Sequence, residues 1–271
     1  MSTFALKSLA IIAMLIDHIG AVFISPYTHP ELHLLFRGIG RLAMPIFVFL
    51  VVEGYFHTRN VKKYLKRMAI FALISEIPFD LAFYATHYKT NVLEDIAQIY
   101  QGGFKLNEVW VVLGRLLEHQ NVFFTLFLGL LLIHMINMIE RRVLLNQRTI
   151  QKLLICNILE VVITVLICFT AVLLKTDYDY RGILIFLVFY IFRGKKILTS
   201  LYLFLITAAL LSNIPGFVST RSIFYVISLF ANFAMLPIAL YNGKKGKDVK
   251  YLFYIFYPAH LFIIFLIYQF I

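Results

Sequence analysis

Apolar runs of about the length of a bilayer-crossing helix, divided by short polar breaks, set the pattern of this chain from one end to the other. By that measure the sequence predicts nine spans, at 4–25, 34–53, 66–86, 121–139, 153–174, 181–192, 197–212, 221–241 and 251–270. The sixth is short, as a tilted or partial helix would be. The expected fold is therefore all-α: a polytopic membrane helix bundle, taken as one domain over residues 1–271, with no repeat and no low-complexity tract. The long connection at about 87–120 contains NEVWVVLGRLLE (107–118), whose apolar spacing suits a helix lying on the membrane surface or packed on the bundle. The first run resembles a secretory signal. No convincing small-residue cleavage site follows it and Asp17-His18 interrupts it, so it is read as a retained span.

Composition agrees: 61% of residues are hydrophobic, 14% are charged and the mean hydropathy is +0.85. Charge then adds direction. Four connections, RNVKKYLKR (59–67), RRVLLNQRTIQK (141–152), RGKK (193–196) and GKKGKDVK (243–250), hold 16 of the 25 Lys and Arg. With nine spans all four fall on one face, which the positive-inside rule makes cytoplasmic. The amino terminus is then expected inside and the carboxyl terminus outside. The net charge of +11 is accordingly a matter of topology and anionic lipid, not of nucleic-acid binding. Cys156 and Cys168 are twelve residues apart on one predicted helix, about 18 Å, too far for a disulfide.

Ionisable groups inside spans are costly and mark function by default. Asp17 and His18 lie in span one, Arg37 and Arg41 in span two, and Glu76 and Asp80 in span three, all at similar depth. Arg37 and Arg41 share a face beside Gly38 and Gly40, which allow close helix approach. Glu76 and Asp80 flank Pro78, where a kink would free backbone carbonyls. The pattern predicts a salt-bridged polar cavity, with Arg41 paired to Glu76 or Asp80 and DYDYRG (177–182), including Asp179 and Arg181, capping it from outside. Such pairs also serve simply to hold helices together. His18 titrates near neutral pH and so suits a general base. Lys7 lies eleven positions before it, on nearly the same helix face and about 16 Å along the axis. That geometry fits an extended thioester donor with phosphates at Lys7 and acyl group at His18, although a snorkelling lysine explains the spacing equally well. Glu53 and His57 read as boundary residues or donor contacts, and Asn121 shares a face with Thr125. His260, beside Pro258, reads first as a structural histidine. There is no zinc spacing, P-loop, GxSxG or dinucleotide fingerprint, so no metal is expected.

The blocks ALKSLAIIAMLIDHIG, IGRLAMPIFVFLVVEGYFHTRNVKKYLKR, FALISEIPFDLAF, NVFFTLFLGLL, DYDYRGIL and YIFYPAHL, in this order, resemble the TraX family, known from the inner-membrane protein that N-acetylates F-type pilin. That family is similar to a larger group of membrane-bound acyltransferases, the acyltransferase-3 and heparan N-acetyltransferase type. In the O-acetyltransferases of that group an Arg, ten residues and a His stand in the first helix; here Lys7 and His18 hold that frame, with Lys replacing Arg. The resemblance implies a protein of the bacterial cytoplasmic membrane that transfers an acetyl group from acetyl-CoA to an amine or hydroxyl. It implies donor phosphates on Lys7, Lys62 and Lys63, His18 as base or acyl carrier, Asp17 orienting it, and Arg37 or Arg41 at the oxyanion. The acceptor is a pilin amino terminus, as in conjugation, or an envelope glycan, lipid or small molecule.

A proton-coupled transporter is the rival reading, since buried acids, arginines and a histidine build carriers too. Carriers usually show two related halves, which this sequence lacks. A non-catalytic assembly factor for a surface appendage is the third.

Overall fold

The computed structural model describes residues 1–88, 92–101, 106–116, 118–143, 149–209, 229–247 and 250–270. The chain starts with α1 (Thr3–Phe23), α2 (Pro30–Gly40), α3 (Ala43–His57) and α4 (Val61–Tyr88). Two shorter helices follow, α5 (Val92–Gln101) and α6 (Leu106–Leu116), then α7 (Val122–Val143), α8 (Ile150–Leu173), α9 (Asp179–Ile191) and α10 (Lys196–Ala209). A 3-10 turn (Phe230–Ala234), α11 (Met235–Ala239) and α12 (Lys250–Phe270) complete the order, with no strand among the described residues.

Among the described residues five segments are long and apolar enough to cross a membrane: α1, α2 with α3, α7, α8 and α12. The protein is thus an all-α, multi-pass membrane protein. Of the other expected spans, 66–86 lies in α4, which is long but more charged, and 181–192 and 197–212 meet the short helices α9 and α10. Residues 210–228, where the seventh expected span ends and the eighth begins, lie outside the described residues. The second span differs from its expected single helix. Pro45 has no N–H and its ring crowds the carbonyl of Arg41, so the helix breaks at Arg41–Leu42 and resumes as α3. The long connection holds two helices where one was expected, because LEDIAQIYQ also carries an apolar stripe at positions 93, 96 and 100.

The chain divides into two compact units: Met1–Phe47, Leu73–Gln120 and Thr207–Ile271 form the first, and Val48–Ala72 and Asn121–Ile206 the second. In the second, α7, α8 and α9 pack around Leu128, Leu132, Ile136, Ile167, Ala171 and Ile183. A Cβ at Gly129 would overlap the ring of Phe186, so α7 and α9 meet closely there.

In the first unit α1 lies between α2 and α12. The contacts Phe4–Phe253, Lys7–Phe253, His18–His260 and Phe23–Tyr268 rise together along both chains, so α1 and α12 run parallel. First and last spans that run parallel require an odd number of crossings, the parity of the nine-span reading. The start of α1 is tied to the basic loop at 243–247. Thr3 N–H donates to the Lys244 carbonyl at 2.8 Å, Phe4 N–H to that of Lys245 at 3.1 Å, and Asn242 N–H to that of Met1 at 3.0 Å. Gly246, at φ +72°, lies against Ser2 with no room for a side chain.

Candidate functional site

The charged residues of α1 and α2 meet because glycines let the two helices close. A Cβ at Gly20 would crowd Phe36, and one at Gly40 would overlap the Asp17 side chain. Asp17 thereby reaches both arginines: Arg37 Nη1 donates to its Oδ2 at 2.7 Å, and Arg41 Nη2 lies 3.8 Å from its Oδ1. Arg41 sits at the break between α2 and α3, where its backbone N–H caps α2 through the carbonyls of Arg37 and Gly38. The three side chains are only 18%, 23% and 13% exposed for Arg37, Arg41 and Asp17.

Beside this cluster two histidines hold one another in defined tautomers. His260 Nδ1 lies 2.8 Å from the Phe256 carbonyl, which can only accept, so that nitrogen carries the proton. In a neutral ring Nε2 of His260 is then an acceptor, and it lies 2.8 Å from Nδ1 of His18. His18 therefore donates from Nδ1, and its lone pair is left on Nε2, a nitrogen with no hydrogen-bond partner among the described residues. The rings are within 5° of coplanar with centroids 5.0 Å apart, the arrangement of an in-plane hydrogen bond. Phe83 of α4 and Tyr257 of α12 meet His18 edge-on at 5.4 and 6.1 Å, and Phe256 stacks on His260 at 4.8 Å. Both histidines are buried.

The structure thus brings Asp17, His18, Arg37, Arg41 and His260 together in one unit. Two roles read from the sequence shift. The ring of His18 is held by His260, and Asp17 of α1 is a partner of both arginines. Glu76 is buried and Asp80 lies one turn on, in the same unit, along the stretch of α4 interrupted by Pro78. Ser75, fully buried next to Glu76, leaves its hydroxyl without a hydrogen bond among the described residues. Lys7 and His18 both face α12, Lys7 with its Nζ over the Phe253 ring at 5.1 Å. Sequence reasoning undervalued His260 because nothing in YPAHL says which helix it meets. It also took Lys244 and Lys245 only as topological charge, though their loop docks on the first turn of α1.

The remaining candidates belong to the second unit. Arg193 clasps Glu53 with two bonds, Nε to Oε1 at 2.7 Å and Nη2 to Oε2 at 3.2 Å, while lying over the Phe56 ring at 4.1 Å. His57 is exposed and donates from Nδ1 to the Glu53 carbonyl at 2.7 Å, the behaviour of a boundary residue. Lys62 and Lys63 are exposed in the first turn of α4, where Asn60 caps the Lys63 N–H at 2.9 Å. Asn121 is fully buried. It donates to the Ala72 carbonyl at 2.8 Å and accepts the Phe123 N–H at 2.9 Å, tying the start of α7 to α4. Asp179, at φ +42°, accepts the Arg181 N–H at 2.9 Å, with the Arg181 guanidinium 3.8 Å away. Burial pushes its carboxyl up, against the pull of that N–H and guanidinium. No group of three or more His, Cys, Asp or Glu among the described residues is placed to hold a metal.

Comparison with known proteins places this arrangement. The chain is 31% identical to the probable fimbrial assembly protein FimC, serogroup H1, of Dichelobacter nodosus over 96% of its own length and 93% of the relative's. A shorter match, 36% identical over 34% of this chain and 32% of the relative, is to an uncharacterised protein of Rickettsia prowazekii. No solved structure matches. The sequence profile of the TraX protein family matches residues 2–101 and 107–268. On that near-complete match, the chain belongs to the TraX family.

Proposed function

We propose that this protein is an acetyltransferase of the bacterial cytoplasmic membrane, moving an acetyl group from acetyl-CoA to an amine or hydroxyl of a pilin-like protein or an envelope glycan or lipid. The observation that carries the reading is the chain Phe256 carbonyl, His260, His18, which leaves the lone pair of Nε2 of His18 in a ring held in one orientation.

In the reaction so read, the acceptor nitrogen or oxygen attacks the thioester carbonyl carbon while Nε2 of His18 takes its proton. The carbonyl electrons move onto oxygen, where the guanidinium N–H donors of Arg37 or Arg41 stabilise them. They return as the carbon–sulfur bond breaks, and the thiolate takes the proton from His18. His260 keeps the ring oriented and shares the charge of the imidazolium. Lys7 supplies charge for the donor phosphates, and Lys244 and Lys245 stand on the loop that docks beside the first turn of α1. The fimbrial name of the Dichelobacter relative favours a pilin-like acceptor.

The test is transfer of label from radiolabelled acetyl-CoA to membrane material, comparing membranes that hold the wild-type protein with membranes that hold His18→Ala at equal abundance. Transfer lost in the variant supports the reading. Equal transfer in both, or none in either, overturns it. The helix break at Arg41–Leu42 is also a device of carriers; on that reading no acetyl group moves in either sample.

A further inference from the structure

The face of α4 that looks outward can be followed turn by turn. Ile70, Leu73, Ile74 and Ile77 are exposed and stand at i, i+3, i+4 and i+7, the stripe of a helix against lipid. Tyr84 continues it, since residues seven apart fall within about 20° of one another on a helix. Yet Tyr84 is only 2% exposed. Its cover is α5: Tyr84 OH donates to Asp95 Oδ2 at 2.7 Å, and Arg115 of α6 donates to the same oxygen at 3.2 Å. One carboxylate thus fastens both short helices over the lipid-facing side of α4, one turn before that helix ends.

Fixed there, the pair turns apolar side chains outward. On α5 these are Leu93, Ile96 and Tyr100, at i, i+3 and i+7, with Glu94, Gln98 and Gln101 along another face. On α6 they are Trp110, Val111 and Leu113. Tyr100 is 83% and Trp110 66% exposed, and Trp and Tyr are the residues enriched where hydrocarbon meets headgroups. We infer that α5 and α6 form an amphipathic hairpin that lies in the bilayer interface, with Tyr100 and Trp110 at headgroup level and Asp95 as its anchor to the span. The occupant of the exposed stripe is lipid, because the stripe is the continuation of the lipid-facing side of α4. The inference is independent of the acyl-transfer reading.

Trp110 is the protein's single tryptophan, so its fluorescence reports this hairpin alone. The full-length protein is reconstituted in phosphatidylcholine vesicles with and without lipid brominated on the upper acyl chain, and acrylamide is added as an aqueous quencher. The expected result is loss of most of the emission in brominated lipid and little loss to acrylamide. Strong quenching by acrylamide with none by bromolipid would place the hairpin in water and overturn the inference. Protection from both would assign the face to a protein partner or a second copy, and would overturn it equally.

Discussion

At the residue scale, His18, His260 and Arg37 of the first unit are each held by a specific neighbour: His260, the Phe256 carbonyl and Asp17. On the proposed reading His260 is a positioning residue, touching His18 and not the reacting atoms. His260→Ala is expected to lower acetyl transfer roughly 100-fold with the donor still bound, by losing the correctly oriented base. His260→Gln, whose amide oxygen can accept the His18 Nδ1 proton, should recover part of the loss, and a purely structural role would give no such recovery. Asp17→Asn leaves Arg37 and Arg41 without their carboxylate at sites that are mostly buried. It should cost about 1–3 kcal/mol of stability, between the exposed and buried limits for ion pairs, read as a lowered midpoint of thermal unfolding in detergent. His18 and Asp17 stood out in the sequence because an apolar run makes any polar residue conspicuous. Which partner each one takes did not, since adjacent residues on a helix point about 100° apart. Asp17 therefore faces α2 while His18 faces α12, and only helix packing reveals the division.

At the element scale, small residues and prolines decide how close and how continuous the helices are. The role of Gly40 was legible, since glycines in a polar helix face signal close approach; its contact with Asp17 was not. The break at Arg41–Leu42 was hidden because the flanking residues are apolar on both sides of Pro45, and hydropathy alone reads straight through it. The two helices of the long connection escaped in part for the opposite reason: their stripes are short and set among polar residues. In the second unit, Gly129→Ala is expected to force α7 from α9 at Phe186 and to cost about 1–3 kcal/mol, the usual penalty of overpacking. Its folded fraction should keep the wild-type transfer rate, because the histidine pair belongs to the first unit. Thermal unfolding and activity per folded molecule check both halves of that statement.

At the scale of the whole molecule, the charge pattern and the helix directions speak to the same topology. The loop at 243–247 is hydrogen-bonded to the first residues of the chain, so both lie on one side of the membrane. The carboxyl end of α12 lies on the other, because α12 runs parallel to α1. Cysteines placed at Ser2 and at Lys247 should therefore react with a membrane-impermeant thiol reagent only in inverted vesicles, where the cytoplasmic face is outside, and a cysteine after Ile271 only in intact cells. Within that frame the central claim is chemical: Nε2 of His18 is the base of an acetyl transfer. The most direct measurement is the release of free CoA thiol from acetyl-CoA by the purified protein with bacterial membrane material added as acceptor, wild type beside His18→Ala, with acetyl-CoA binding determined on the same samples. The account predicts that His18→Ala binds the donor as the wild type does and releases thiol at least about 100-fold more slowly. A folded His18→Ala protein that binds the donor and releases thiol at the wild-type rate would contradict it.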